Sequence, residues 1–150
     1  MITTYYKKVS TEKLEMVDEF KPGTWINVDN ATEKDIHTIA ELTGLDVIDL
    51  ADSLDRYEVP RIERQTGNVI VFVRYPIDDI DDFYTDILTL VITKNHFITI
   101  SPTQCPIIQG ILGEKTPLAT TQKSRQFINL LLLISNSFTS HVKRVRHHVV

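Results

Sequence analysis

Three short runs constrain the fold of this chain more than any other feature. "VIVFV" (69–73), "DILTLVI" (86–92) and "HFITI" (96–100) carry apolar side chains at successive positions rather than at alternate ones. Successive residues of a strand point to opposite faces of the sheet, so strands of this kind present apolar surface on both sides. Both sides must then be covered, and the usual cover is a layer of helices on each. A chain of 150 residues is long enough for this, since a domain of that size removes about 68–70% of its unfolded surface from water.

The helices have recognisable signals. Thr32 followed three residues later by Asp35 resembles a capping box, and Ile36, Ile39, Ala40 and Thr43 form the apolar stripe of the helix it opens, which Gly44 closes. A second helix is expected from Asp46 to Tyr57, with Val47, Leu50, Ala51 and Leu54 on its core side and Pro60 preventing its continuation. These two form one layer. A short helix after Thr103 and a long one from Ser124 supply the other. Among the strands, "MITTYYKKVS" is β-prone at its start, "TWINVDN" alternates like a half-buried strand, and "RIERQTGNVIVFVRY" reads as two strands joined at Thr66-Gly67-Asn68. Hairpin signals lie beside longer crossovers, so the sheet is expected to be mixed. The reading is an α/β chain, a three-layer α/β/α sandwich with a mixed central sheet, comprising a domain over 1–123 and a long helix over 124–150 that packs on it.

That last helix keeps an apolar seam, Phe127, Leu131, Ile134, Phe138, Val142, Val145 and Val149, through to its final residues. It shows no Gly cap, Pro or polar loop, so we expect a fragment cut within a longer helix. No run of about 18 apolar residues occurs. The net charge of −4 gives no electrostatic support for a nucleic-acid partner, and the single Cys105 excludes an internal disulfide.

Candidate chemistry rests on the acids. "YPIDDIDDFYTD" (75–86) holds Asp78, Asp79, Asp81, Asp82 and Asp86, and Pro76 marks the expected end of the strand before it. A calcium loop of the EF-hand kind needs acids at alternate positions, a Gly at the sixth and a Glu at the twelfth. Counted from Asp78 the sixth residue is Phe83, and no glutamate follows. The stretch reads as a solvated hairpin loop, with a weak, flexible cation site as the alternative. In "LDVIDLADSLDRYE", helical spacing puts Asp49, Asp52, Ser53 and Arg56 on one face, where Asp52 and Arg56 suit an i,i+4 ion pair. Asp49 and Asp52 could instead hold a hydrated Mg2+, which keeps several waters and needs only one or two carboxylates. The histidines, His37, His96, His141, His147 and His148, lack ligand spacing and read as surface residues. No nucleophile elbow or Gly-rich phosphate loop is present, so no catalytic residue is assigned. "KRVRHH" reads as the cations that accompany a helix C-terminus.

The stretch from Trp25 onward resembles the cytosolic N-terminal domain of the CorA-type magnesium/cobalt transporter family. Trp25, Ile26 and Asn27 before the Thr32-capped helix carry this resemblance, as do Gly44, Leu45, Leu50, Ala51 and Asp52, then Pro60, Arg61 and Glu63, and finally "DILTLVITKNHFITI". It covers about residues 25–101, and 124–148 by pattern. The family's Gly-Met-Asn signature beside the membrane spans would lie beyond residue 150.

The resemblance implies a cytosolic regulatory domain, on the cytoplasmic side of the cell membrane, that senses divalent cation and couples it to the gating of a homopentameric channel. Its last helix would lead to a stalk, and membrane contact would belong only to the missing C-terminal part. The transported ion implied is Mg2+ and also Co2+, with zinc or nickel in relatives of the same superfamily. Asp52 corresponds to the family's regulatory Mg2+ ligand, shared with a neighbouring subunit, and Asp49 stands beside it. Ala51 replaces the family's usual Glu. The competing readings are a soluble metal-dependent hydrolase built on Asp49, Asp52 and the acids of 78–86, and a module whose apolar C-terminal seam docks a partner helix.

Overall fold

The computed structural model of the chain describes residues 1–8, 13–78, 83–113 and 119–149. Strands β1 (Ile2–Tyr6), β2 (Glu15–Val17), β3 (Thr24–Val28), β4 (Arg61–Gln65), β5 (Asn68–Asp78), β6 (Phe83–Ile92) and β7 (His96–Ile100) form one sheet in the order β2-β1-β3-β7-β6-β5-β4. β3 and β7 run parallel and the remaining neighbours antiparallel, so the sheet is mixed as expected. Helices α1 (Glu33–Thr43) and α2 (Val47–Ala51) cover one face, and α3 (Pro106–Gly113) and α4 (Lys123–Val149) the other.

The two-sided strands explain the two cores. Along β6, Ile87 and Val91 pack with Ile36, Ile39 and Leu50 of the first helical layer, while Leu88 and Leu90 pack with Ile108, Leu130 and Ile134 of the second. The helix signals also hold. Thr32 accepts from the backbone N–H of Asp35, whose carboxylate accepts from that of Thr32, and Gly44 at φ 75° closes α1 in the left-handed conformation where glycine carries no Cβ penalty. The Thr66-Gly67 turn likewise has positive φ at both residues, which joins β4 to β5.

Several expectations are corrected. "TWINV" is buried at every position because β3 lies inside the sheet, between β1 and β7, with helices on both faces. β5 runs through Pro76 to Asp78. Its outer neighbour β4 pairs only as far as Phe72, so Pro76 sits on an edge portion of the ladder where its missing N–H costs little. On α4, Leu130, Ile134 and His141 are the buried positions, whereas Val142 of the expected seam is 63% exposed. Ile128 and Leu132 are exposed as well. The short strand β2 carried no periodicity to reveal it.

The second helix is shorter than its spacing suggested. α2 ends at Ala51, a 3-10 turn follows over Asp52–Leu54, and Asp55 is extended. Ser53 is consequently buried and Ala51 exposed, the reverse of a continued helical face. The cause is tertiary: Arg56 is drawn to Asp86 on β6, and Arg61 on β4 engages Asp52.

His96 and His141 are buried rather than on the surface, while His37 and His147 are exposed. His96 Nδ1 lies 3.0 Å from Thr24 Oγ1, and burial, with the Lys123 cation nearby, holds the imidazole below its ordinary pKa of 6.5. A depressed folded pKa means that the stability held by the neutral ring is complete above about pH 6.5 and is lost as pH falls below it. We expect the melting temperature of His96→Gln to fall less between pH 7 and pH 5 than that of the wild type, read by circular dichroism. An equal fall would show that His96 does not contribute to the acid limb.

Candidate cation site around Asp52

Arg61 organises this region. β4 alternates, so Arg61, Glu63 and Gln65 face α2 while Ile62 and Arg64 point the other way. From that face Arg61 Nη2 donates to Asp52 Oδ2 at 2.6 Å, Nε donates to Glu63 Oε1 at 2.8 Å, and Nη1 donates to Glu58 Oε1. Its guanidinium carbon stands 4.2 Å from the centre of the buried Phe72 ring. The bond to Glu63, with those to the other carboxylates, raises the arginine pKa further above its already high ordinary value. One residue pair along, Gln65 Nε2 donates to Asp49 Oδ2. Asp46 caps α2 by accepting from Ile48 N–H at 2.9 Å.

Asp49 and Asp52 thus engage different partners, Gln65 and Arg61, and the expected Asp52–Arg56 pair is not made. Arg56 instead donates to both oxygens of Asp86, Nη2 to Oδ2 at 2.9 Å and Nε to Oδ1 at 3.3 Å. Asp86 also accepts from Ile87 N–H and Thr103 Oγ1. It is 1% exposed and shares a strand face with Leu88 and Leu90, so it belongs to the α3–α4 side of the sheet rather than to a solvated loop. Beside it Tyr75 is fully buried, and burial pushes its phenol up to about 12. Asp79, Asp81 and Asp82 lie outside the described residues, as does the side chain of Asp78.

Could these residues hold Mg2+? Asp52 offers a hard oxygen donor on a side chain 42% exposed, which suits a single carboxylate meeting a hydrated ion. Among the described residues no three His, Cys, Asp or Glu side chains are placed to hold a metal ion directly. Asp52 could serve there as a single ligand only, since no closed cage forms among the described residues. Asp86 is held by Arg56 and Thr103 whereas Asp52 is held by Arg61, so these two acids do not share a partner.

The residues that spacing arguments passed over are Glu58, Glu63 and Gln65 as partners of the site. For Glu63 and Gln65 the signal was available in "RIERQ", where positions two apart share one strand face.

Among the described residues no helix is long and apolar enough to cross a membrane. The curated cobalt/magnesium transport protein CorA of Methanocaldococcus jannaschii is 24% identical over 124 residues, covering 81% of this chain and 38% of that protein. The complete structure of the CorA magnesium transporter from the same organism superposes with a TM-score of 0.77 at 17% identity, covering 98% of this chain and 48% of that one. The structure of its soluble domain gives 0.77 at 19% identity, covering 99% and 61%. The chain thus spans less than half the length of the complete relatives it resembles. The model of the family described as CorA-like Mg2+ transporter protein matches residues 21–149, nearly the whole chain, and the chain belongs to that family.

Proposed function

We propose that this chain is the cytosolic regulatory domain of a CorA-like divalent cation transporter, for Mg2+ and also Co2+, which senses intracellular cation and couples it to gating. In this reading it is one of five identical subunits on the cytoplasmic side of the cell membrane. The observation that carries the proposal is the position of Asp52. It lies at the domain's outer edge, on a 3-10 turn braced by β4, with its carboxylate oriented by Arg61 and still open to solvent. Among the described residues no set of further ligands converges on it, and in this reading they come from a neighbouring subunit.

A divalent cation bound there supplies charge that offsets repulsion between carboxylates of adjacent subunits. The chain's own residues do the rest. α2 and β4 fix the position of Asp52, and the Arg56–Asp86 pair ties the segment that follows it to the middle of the sheet. A change of charge at Asp52 is therefore presented to a neighbour on a rigid element rather than absorbed by a loop. Such a change shifts the balance between closed and open assemblies by its differential effect on the two.

The test is Asp52→Ala in the whole transporter. Flux is expected to persist at high internal Mg2+, with the half-inhibiting concentration raised about fivefold or more, the lower end of ordinary coupling energies. Unchanged inhibition would remove Asp52 from the sensing role.

A further inference from the structure

Charge is divided unevenly along this chain. α4 carries Lys123, Arg125, Lys143, Arg144 and Arg146 and no acid, whereas all 20 acidic residues lie before it. On its inner side Leu130 and Ile134 are buried against the sheet. Its outer side presents Ile128, Leu132, Ser135, Thr139, Val142 and Arg146, which follow one another by steps of four and three and so form one exposed stripe. At 1.5 Å per residue the stripe is about 27 Å long.

A second patch has the opposite sign. The stretch from Asp46 to Val59 lies over β4, the outermost strand, to which Asp49 and Asp52 are tied through Gln65 and Arg61. It contains five acids and a single cation, Arg56, which Asp86 already engages. Asp46 and Asp55 are its exposed acids, and beside them Ile48 and Tyr57 are 76% and 92% exposed.

We propose that the outer stripe of α4 docks on the Asp46 to Val59 stretch of a second copy of this chain. Two α4 stripes repel each other, as do two acidic stretches, so the charges favour only the contact of unlike patches. The exposed apolar side chains of both patches leave water on contact, an attraction that salt does not screen. Each copy carries both patches, on helices that cover opposite faces of the sheet, so the contact passes from copy to copy into a ring or a filament. An anionic lipid surface would use the same cations. It takes bulky apolar and aromatic side chains on the face it buries, however, and this stripe interposes Ser135 and Thr139 and holds no aromatic residue. A stripe one helix wide covers on the order of 300 Å², against roughly 800 Å² per partner in a stable complex, so the isolated chain associates weakly. The proposal deepens the reading of the chain as one of several identical subunits and rests on it for a place in the transporter, whereas the attraction itself belongs to the 150-residue chain.

Sedimentation of the 150-residue chain is the test. At about 0.2 mM chain and about 50 mM salt the average mass is expected to exceed that of a monomer, and the association to weaken about fivefold or more at about 500 mM salt. Lys143→Glu with Arg146→Glu reverses the α4 patch, and Ile48→Lys with Tyr57→Lys reverses the other. Each double variant alone should stay monomeric. A one-to-one mixture of the two should form pairs and nothing larger, because one intact patch of each kind remains. All four positions are exposed, so circular dichroism should show unaltered melting, and Leu132→Glu and Asp55→Lys serve in parallel should either pair not fold. A wild type that is monomeric at low salt, association that either double variant leaves intact, or a mixture that does not pair overturns the proposal. So does a monomer that binds vesicles of phosphatidylserine and phosphatidylcholine through Lys143 and Arg146, which would assign α4 to a lipid surface. Salt-dependent association of the expected kind, together with unaltered inhibition of Asp52→Ala in the whole transporter, would uphold the docking surface and sink the sensing reading alone.

Discussion

Phe72→Ala is expected to cost about 3–5 kcal/mol of stability, the range for removing a fully buried aromatic side chain from a packed core. For a chain of this size that corresponds to a fall in melting temperature of roughly 10 °C. The residue is 1% exposed in the core beneath α1 and α2, among Ile70, Ile87 and Ile100, and neighbouring strands leave little room for the cavity to collapse. It is also the platform on which the Arg61 guanidinium rests. Core and candidate site are therefore coupled through one ring. Urea unfolding should show a lower midpoint with an unchanged slope, as expected when native packing is lost and the denatured state is unaltered. Phe72→Leu, which keeps most of the volume, should cost much less. A cycle of Phe72→Leu with Arg61→Met should return a coupling of about 0.5–1 kcal/mol for the ring–cation contact. A loss below about 1 kcal/mol for Phe72→Ala would mean that the ring carries little of the core's stability.

The second large effect is an asymmetry across the Arg56–Asp86 pair. The arginine side chain is 52% exposed and the aspartate 2%. Arg56→Met leaves a buried carboxylate with only a hydroxyl and a backbone N–H as partners, and uncompensated burial of a charge costs about 3 kcal/mol or more. Asp86→Asn leaves the arginine free to turn into water and keeps an acceptor for Thr103 or Ile87, so its cost should be about 1–2 kcal/mol. Removing the exposed partner should thus hurt more than neutralising the buried one, as measured by urea midpoints at neutral pH. Equal costs would show that water reaches Asp86. The pair also bears on the site, because Arg56 belongs to the segment between Asp52 and Arg61, and its loss should loosen both.

How far was this legible in advance? Local chemistry carried α1 completely: a threonine cap, an acid three residues on, an apolar stripe and a glycine in the left-handed region are each set by neighbours within one or two turns. The same holds for the β4–β5 hairpin, whose turn residues take positive φ. α2 failed as a helix to Tyr57 because its end is decided by bonds to residues far along the chain, Arg56 to Asp86 and Asp52 to Arg61. Helical spacing could align Asp52 with Arg56, but a buried carboxylate thirty residues away offers a stronger partner than an exposed one four residues back.

The sequence by itself determined the two helical layers and the mixed sheet, because strands apolar on both faces have no stable alternative to being covered twice. It also placed Asp52 on the helical segment that follows Gly44, though not at that segment's end. Tertiary structure decided which charges meet. It sent Asp86 into the interior, kept Asp49 and Asp52 on separate partners, and gathered Asp52, Glu58 and Glu63 around Arg61. Burial is encoded in periodicity that a few residues suffice to show, whereas the partner of a long charged side chain depends on strand register and on which elements the fold brings to one edge.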